Sequence, residues 1–387
     1  MVPKGWEQKK LEELCSLDAP ITYGVLKPGE YFCGGIPLLQ IKDLCDGSVL
    51  SNGLHLIPPE LDYEYRRSRI IKNDILISLV GTIGRVAKYQ SSSEANIHRN
   101  IGRIRSNQHE YLFHYLQSDY VQRGITDSAS GSSQSALNLS TLRSMLILVP
   151  PLIEQKKIAK ILSTWDKAIS VTEKLLTNSQ QQKKALMQQL LTGKKRLLDE
   201  NGVRFSGEWR NSTLSMFCNI AKGKALSASD LEVGDFPVIA GGKSSPYSHS
   251  DYTHENVVTV SASGAYAGYI SYHNYKIWAS DCSVVSAKAD NLIDYFYQLL
   301  LSLQDKIYSL QSGGAQPHIY PKDLNSIPLW VPCVKEQQKI AAVLSAADAE
   351  ISTLEKKLAC LRDEKKALMQ QLLTGKRRVK VDEAVAE

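Results

Sequence analysis

The chain carries the residue types that do chemistry, but not at spacings that would let them act together. The histidines, among them His98, His109, His114, His249, His254, His273 and His318, are spread without metal-ligand or acid–base spacing. They read as ordinary core or surface side chains. Seven cysteines (Cys15, Cys33, Cys45, Cys218, Cys282, Cys333 and Cys360) include no C-x-x-C pair. They read as reduced thiols of a cytoplasmic protein, with no metal site expected. Gly241-Gly242-Lys243-Ser244 ends like a phosphate loop, but Pro237 stands where the upstream glycine is required. Gly81-x-x-Gly84 is too short for a dinucleotide fingerprint, and no Asn/Asp-Pro-Pro-aromatic run marks an amino-methyltransferase. No catalytic residue is expected in this chain.

What remains is charge and its placement. At 387 residues, the chain is long enough for roughly two to four packed units. Hydrophobic residues make up 43% and charged residues 22%, as in a globular protein. The polar start MVPKGWEQKKLEEL does not read as a signal peptide, and no apolar run approaches membrane-span length. The formal charge is +6. By count of Lys and Arg against Asp and Glu, residues 1–149 carry +1, 203–331 carry −2, 150–202 carry +5 and 332–387 carry +2. Mild basicity suits a nucleic-acid partner without requiring one.

The positioning elements are written twice. Lys183–Lys194 (KKALMQQLLTGK) returns letter for letter as Lys365–Lys376. With a shift of 182 positions, 28 of the 49 residues of Val149–Leu197 are identical in Val331–Val379, including Glu154/Glu336, Gln155/Gln337, Asp166/Asp348, Ile169/Ile351 and Glu173/Glu355. Within each copy the apolar period is helical. One seam runs through Leu162, Trp165, Ile169, Thr172, Leu176, Ser179, Lys183, Leu186 and Leu190. The other runs through Leu344, Ala347, Ile351, Leu354, Leu358, Leu361, Lys365, Leu368 and Leu372. Steps of three and four over about four heptads predict two helices, each begun after proline and ended at Gly193 or Gly375. Each is a rod of roughly 60 Å, and the simplest pairing is antiparallel, within one chain. Thr172, Ser179 and Lys183 make the first seam a poor homodimer.

The intervening halves read as strand-rich. Ile36–Ile41 and Ile75–Val80 predict strands, the latter running into the Gly81–Gly84 turn and a further strand; Glu110–Gln122 predicts an amphipathic helix. After the small-residue loop Ser128–Ser133, Leu137–Ser140 caps a helix over Thr141–Met145, and Leu146–Val149 is a strand. Phe236–Ile239, Val257–Gly268, Asn291–Leu303, Gly313–Gln316 and Leu329–Pro332 repeat these features. Gly207-Glu208-Trp209 reopens the pattern of Gly5-Trp6-Glu7. The expected class is α+β: two strand-rich globular domains in tandem, separated by two long antiparallel coiled-coil helices with internal pseudo-twofold symmetry.

This two-copy plan resembles the specificity subunit of type I restriction–modification systems. The resemblance rests on Trp6 and Trp209, on Pro150-Pro151-Leu152-Ile153-Glu154-Gln155-Lys156-Lys157-Ile158, on its second copy Val331–Ile340, and on the Leu-Met-Gln-Gln-Leu-Leu-Thr-Gly-Lys helix ends. It covers nearly the whole chain, with one departure: Cys333 replaces the second proline. The resemblance implies target-recognition domains at 1–149 and 207–331, conserved spacer helices at 150–197 and 332–379, a linker at 198–206 and a tail at 380–387. It implies a non-catalytic, cytoplasmic subunit that reads double-stranded DNA with a split recognition site. Spacer helices would set the unread gap; a rod of this length covers about 18 base pairs at about 3.4 Å each. Two methyltransferase subunits and restriction/translocase subunits would be the partners. S-adenosylmethionine, ATP and magnesium would belong to those partners, with no cofactor in this chain.

Base reading needs Arg, Lys, Asn, Gln or Ser at groove edges, and phosphates need cations. The candidates in the first half are Arg66, Arg67, Arg69, Arg85, Lys88, Arg99, Arg103, Arg105 and Gln134. In the second half they are Lys222, Lys224, Lys243, Tyr266, Lys276 and Gln316, with the polar aromatic stretch Ser244–Tyr252 nearby. The charge is expected to be segregated onto one face of each domain. The competing expectation is a coiled-coil protein-interaction scaffold without DNA specificity, whose heads bind proteins.

Overall fold

The fold, taken from a computed structural model, describes residues 2–45, 47–129, 136–243, 247–314 and 316–380. Its two strand-rich domains share three sheets, and the first adds a two-stranded one, Leu44–Cys45 with Ser48–Val49. In the first, Glu7–Lys10 pairs antiparallel with Leu146–Val149; in the second, Arg210–Thr213 pairs with Pro328–Val331. A four-stranded sheet follows in each. Its order is Thr22–Tyr23, Ile101–Ile104, Ile75–Ser78, Val86–Lys88 in the first domain and Cys218–Lys222, Cys282–Ala287, Val257–Ser261, Ile270–His273 in the second. Each domain adds a three-stranded sheet around Ile36–Leu39 or Phe236–Ile239, with one antiparallel and one parallel neighbour. Ile75–Ser78 and Val257–Ser261 are buried at every position. That burial on both faces explains their unbroken apolar runs.

The helix expected over Glu110–Gln122 is two helices, His109–Leu116 and Asp119–Ala129. Ser118 makes the break. Its hydroxyl donates to the Tyr115 carbonyl at 2.6 Å and accepts from the Val121 amide at 3.4 Å, so it closes one helix and caps the next. The helix expected over Thr141–Met145 begins earlier, as Leu139–Ser144 with Asn138 at its N-cap. Ser130–Ser133 and Gln134 lie outside the described residues, as do Ser244–Pro246 of the aromatic stretch and Ala315.

Two 39-residue helices, Leu152–Leu190 and Val334–Leu372, follow the domains. The chain divides into two compact units, one of residues 1–172 with 357–387 and the other of 173–356. Each unit therefore contains one domain, part of its own long helix and part of the other. In the first unit Ile158 and Leu162 share a core with Met369, Leu372 and Leu373, and Asp166 pairs with Lys365 at 2.5 Å. In the second, Leu190 and Leu191 share a core with Ile340 and Leu344, and Lys183 pairs with Asp348 at 2.5 Å. Numbers rise along one helix as they fall along the other, so the segments run antiparallel within each unit. Every seam position is buried or half-buried, including Trp165, Ile169, Leu176, Leu186, Ile351, Leu354, Leu358, Leu361 and Leu368. Thr172, Ser179 and Lys183 are themselves buried, each with a polar partner: the Ala168 carbonyl, Glu350 and Asp348. No helix among the described residues is long and apolar enough to cross a membrane.

Candidate nucleic-acid interface

In the second domain five loops meet at one end of the sheets. The Gly223 and Lys224 amides donate to the Cys282 and Ala279 carbonyls, each at 2.8 Å, and the Ser280 amide donates to Ile239 at 2.8 Å. Gly223 must be glycine, because a Cβ there would lie 2.3 Å from the Ser280 carbonyl oxygen. The Ser263 hydroxyl bonds the Asp281 carboxylate, and the Gly264 amide donates to Pro317 at 3.1 Å, which draws in the loop that carries Gln316. Lys222, Lys224, Lys243, Tyr266 and Gln316 are thus brought onto one loop cluster, and all are exposed. The Lys243 ammonium stands 5.3 Å from the Tyr266 ring and 5.4 Å from the Tyr269 ring. Lys224 covers Trp278 at 4.9 Å, while the Trp278 indole donates to the Lys224 carbonyl at 2.9 Å. Lys276 is half-buried and sits on Tyr252 at 4.4 Å. These cation–π contacts hold flexible lysines over aromatic faces without consuming their charge.

The first domain builds the same cluster from different side chains. The Val25 amide donates to Ile97 at 2.8 Å, His98 to Leu39 at 2.9 Å and Arg99 to Val25 at 2.9 Å. Gly24 plays the part of Gly223, since a Cβ would lie 1.7 Å from the Ile97 carbonyl oxygen. Val80 bridges Ala136 where Ser263 bridges His318. Of the residues singled out in the first half, Arg99 falls on this cluster. Lys27, Lys42 and Asn100 also fall on it and were not foreseen. Lys27 and Lys42 are exposed, and Lys42 lines a cavity of about 580 Å³ with Tyr31, Asn52 and His55. Sequence spacing could not collect them, because the loops that carry them are joined only by the sheet.

The other arginines of the first half divide into two groups. Arg66, Arg67 and Arg85 are exposed; Arg66 packs 4.9 Å from the Tyr63 ring and Arg85 donates to the Leu44 carbonyl at 2.9 Å. Lys88 is half-buried, 5.2 Å from the Phe113 ring. Arg69, Arg103 and Arg105 instead hold the domain together. Arg105 binds both oxygens of buried Asp74 at 2.7 Å, and Arg69 binds buried Asp62 through Nε at 2.7 Å and Nη2 at 2.5 Å. Hydrogen bonds to these carboxylates raise both arginine pKa values. Arg103 is 3% exposed and donates to the Pro20 and Arg69 carbonyls at 2.9 and 3.3 Å, and burial lowers its pKa. Sequence alone counts these three as free cations because the fold, and not local spacing, brings Asp62, Asp74 and the accepting carbonyls to them. Gln134 lies outside the described residues. No group of three or more His, Cys, Asp or Glu suited to a metal occurs among the described residues.

Residues 3–178 and 206–361 match the family model for the type I restriction modification DNA specificity domain. The chain is 32% identical over 165 residues to the type I restriction enzyme EcoBI specificity subunit of Escherichia coli, a match that covers 41% of this chain and 35% of that protein. A relative from Methanocaldococcus jannaschii, named for the type I restriction enzyme MjaX specificity subunit, is 27% identical over 411 aligned positions, or 98% of this chain and 95% of that one. The crystal structure of a type I restriction–modification S subunit from M. genitalium shares the fold, with a TM-score of 0.68, 18% identity and 96% coverage of both chains. With the specificity domain present twice and spanning most of its length, the chain belongs to the family of type I restriction–modification specificity subunits.

Proposed function

We propose that this chain is the DNA-reading subunit of a type I restriction–modification enzyme and recognises a bipartite site, each domain reading one half. The observation that carries the reading is the loop cluster. It occurs at the same place in two domains that share three sheets of the same strand order, yet presents Lys27, Lys42, Arg99 and Asn100 in one and Lys222, Lys224, Lys243, Tyr266 and Gln316 in the other. Lysines and arginines there neutralise phosphates, while the amide side chains and Tyr266 meet base edges. A shared scaffold with unlike faces suits two unlike half-sites. Arg66, Arg67 and Arg85 add exposed positive charge elsewhere on the first domain. The paired long helices set the gap and dock two methyltransferase subunits, which restriction subunits then join. Methyl transfer, with S-adenosylmethionine, and ATP- and magnesium-dependent work belong to those partners.

Replacement of Lys224 or Lys243 by alanine, assayed in the complex with its methyltransferase, tests the second cluster. Each change is expected to weaken binding across DNA sequences and to lower the salt slope by about one. Gln316→Ala should relax base preference within a single half-site. Unchanged salt slopes for both lysine variants would remove the cluster from the interface.

A further inference from the structure

Each unit contains one buried glutamate at the start of a long helix, held by the same two side chains. In the first unit Glu154 is 3% exposed; Arg378 binds it through Nε and Nη2, both at 2.7 Å, and the Trp6 indole donates to it at 3.1 Å. In the second, Glu336 is 1% exposed; Arg196 binds it at 2.6 and 2.7 Å, and the Trp209 indole donates at 3.2 Å. Each guanidinium also lies 5.6 Å from its tryptophan ring. Each donates onward to the backbone ahead of that tryptophan, Arg378 to Lys4 at 2.7 Å and Arg196 to Gly207 at 2.8 Å. The arginines stand three residues after Gly375 and Gly193, whose φ angles of 68° and 71° turn the chain out of its helix toward the tryptophan. A Cβ at Gly375 would lie 2.4 Å from the Pro3 side chain, so the turn is packed as well as bent.

Every clasp therefore joins three pieces: the strand that opens a domain, the first turn of the helix that leaves it, and the strap after the other long helix. Apolar packing already attaches each domain to its helix, through Ile158 and Leu162 in one unit and Ile340 and Leu344 in the other. Such packing tolerates small rotations, whereas a bidentate fork on a buried carboxylate does not. The clasp is the same in both units although the loop clusters differ.

We propose that the Arg378–Glu154–Trp6 and Arg196–Glu336–Trp209 clasps are positioning devices that fix the angle of each domain on its helix, and thereby the number of base pairs between the two half-sites the chain accepts. The proposal rests on the split-site reading. One base-pair step is about 3.4 Å, so a small rotation at the clasp changes the gap that fits.

The test is methylation mapping of the full chain, co-expressed with its methyltransferase, as wild type, Arg378→Ala, Arg378→Lys and Arg196→Ala. The wild type should give one motif with one gap length. The three variants should keep the base sequence of both half-sites but also methylate sites with the gap one base pair longer or shorter, gap discrimination falling at least tenfold. Arg378→Lys should behave like the alanine variant, because it keeps charge and loses the fork. A single unaltered gap in folded Arg378→Ala and Arg196→Ala chains would overturn the proposal. Should the alanine variants not fold, Glu154→Gln keeps the shape of the side chain but can accept only one arm of the fork, and an unaltered gap there is equally decisive. A wild type without a split motif would refute the split-site reading itself, a result distinct from unchanged gap discrimination.

Discussion

Arg105 and His114 show how a side chain of a DNA-associated fold comes to serve the fold. Among the described residues Arg105 is the sole side chain bonded to the carboxylate of Asp74, which is 1% exposed and also accepts from the Ile71 amide at 2.9 Å. Its replacement by alanine leaves a buried charge unpaired and should cost about 3 kcal/mol, read as a lowered denaturation midpoint. His114 is buried beside Ser163, whose hydroxyl lies 3.1 Å from Nε2, and Asp166, 3.7 Å from Nδ1. Burial dominates over the Asp166 charge and pushes its pKa down to about 4, with Lys365 and Lys88 acting in the same direction. The unfolded chain then binds more protons than the folded one between the ordinary histidine value of 6.5 and about 4. Stability present above that window is lost as pH falls through it. In the second unit Gln298 holds the corresponding place and donates to Asp348 at 2.7 Å. His114→Gln should therefore flatten the acid limb of the first unit, measured as thermal midpoint against pH from 7 to 4. The second unit keeps its own limb, because buried His273 is likewise pushed down to about 4. An unchanged acid limb in His114→Gln would show that His114 is not the group that titrates.

The helices were the most legible elements, because a seam with a period near 3.5 is a local property of the sequence. Both run where the repeat places them, and the polar seam residues explain one another. Lys183 meets Asp348 in one unit, and their repeat mates Lys365 and Asp166 meet in the other. Leu186 and Leu368 pack against the cores of the two units. Changing both to aspartate should part the paired segments and abolish capture of the methyltransferase in a pull-down. Partner binding that survived the double change would move the docking surface off the helices. The strands were legible as apolar runs, but their order was not. Thr22–Tyr23 and Asn96–Ile97 are two-residue strands too short for any periodicity to betray. For the same reason the loop clusters were only half visible. Lys224, Lys243, Tyr266 and Arg99 could be named as cations and aromatics, whereas Lys27, Lys42 and Asn100 join them only through sheet pairing.

At the scale of the molecule, the repeat is what gives the chain its meaning. Two domains share three sheets and their strand order, each is bound to its helix by the same clasp, and they differ where their loops converge. A binding scaffold without sequence preference would have no need of two divergent loop clusters on one plan. The most direct measurement is a genome-wide methylation map of cells that express the methyltransferase with this chain, with none, and with residues 1–149 exchanged for those of another specificity subunit. The account predicts a split motif that appears only with the chain, one half of which alone changes on exchange. No motif from a folded, copurifying complex, or an exchange that altered both halves, would contradict it.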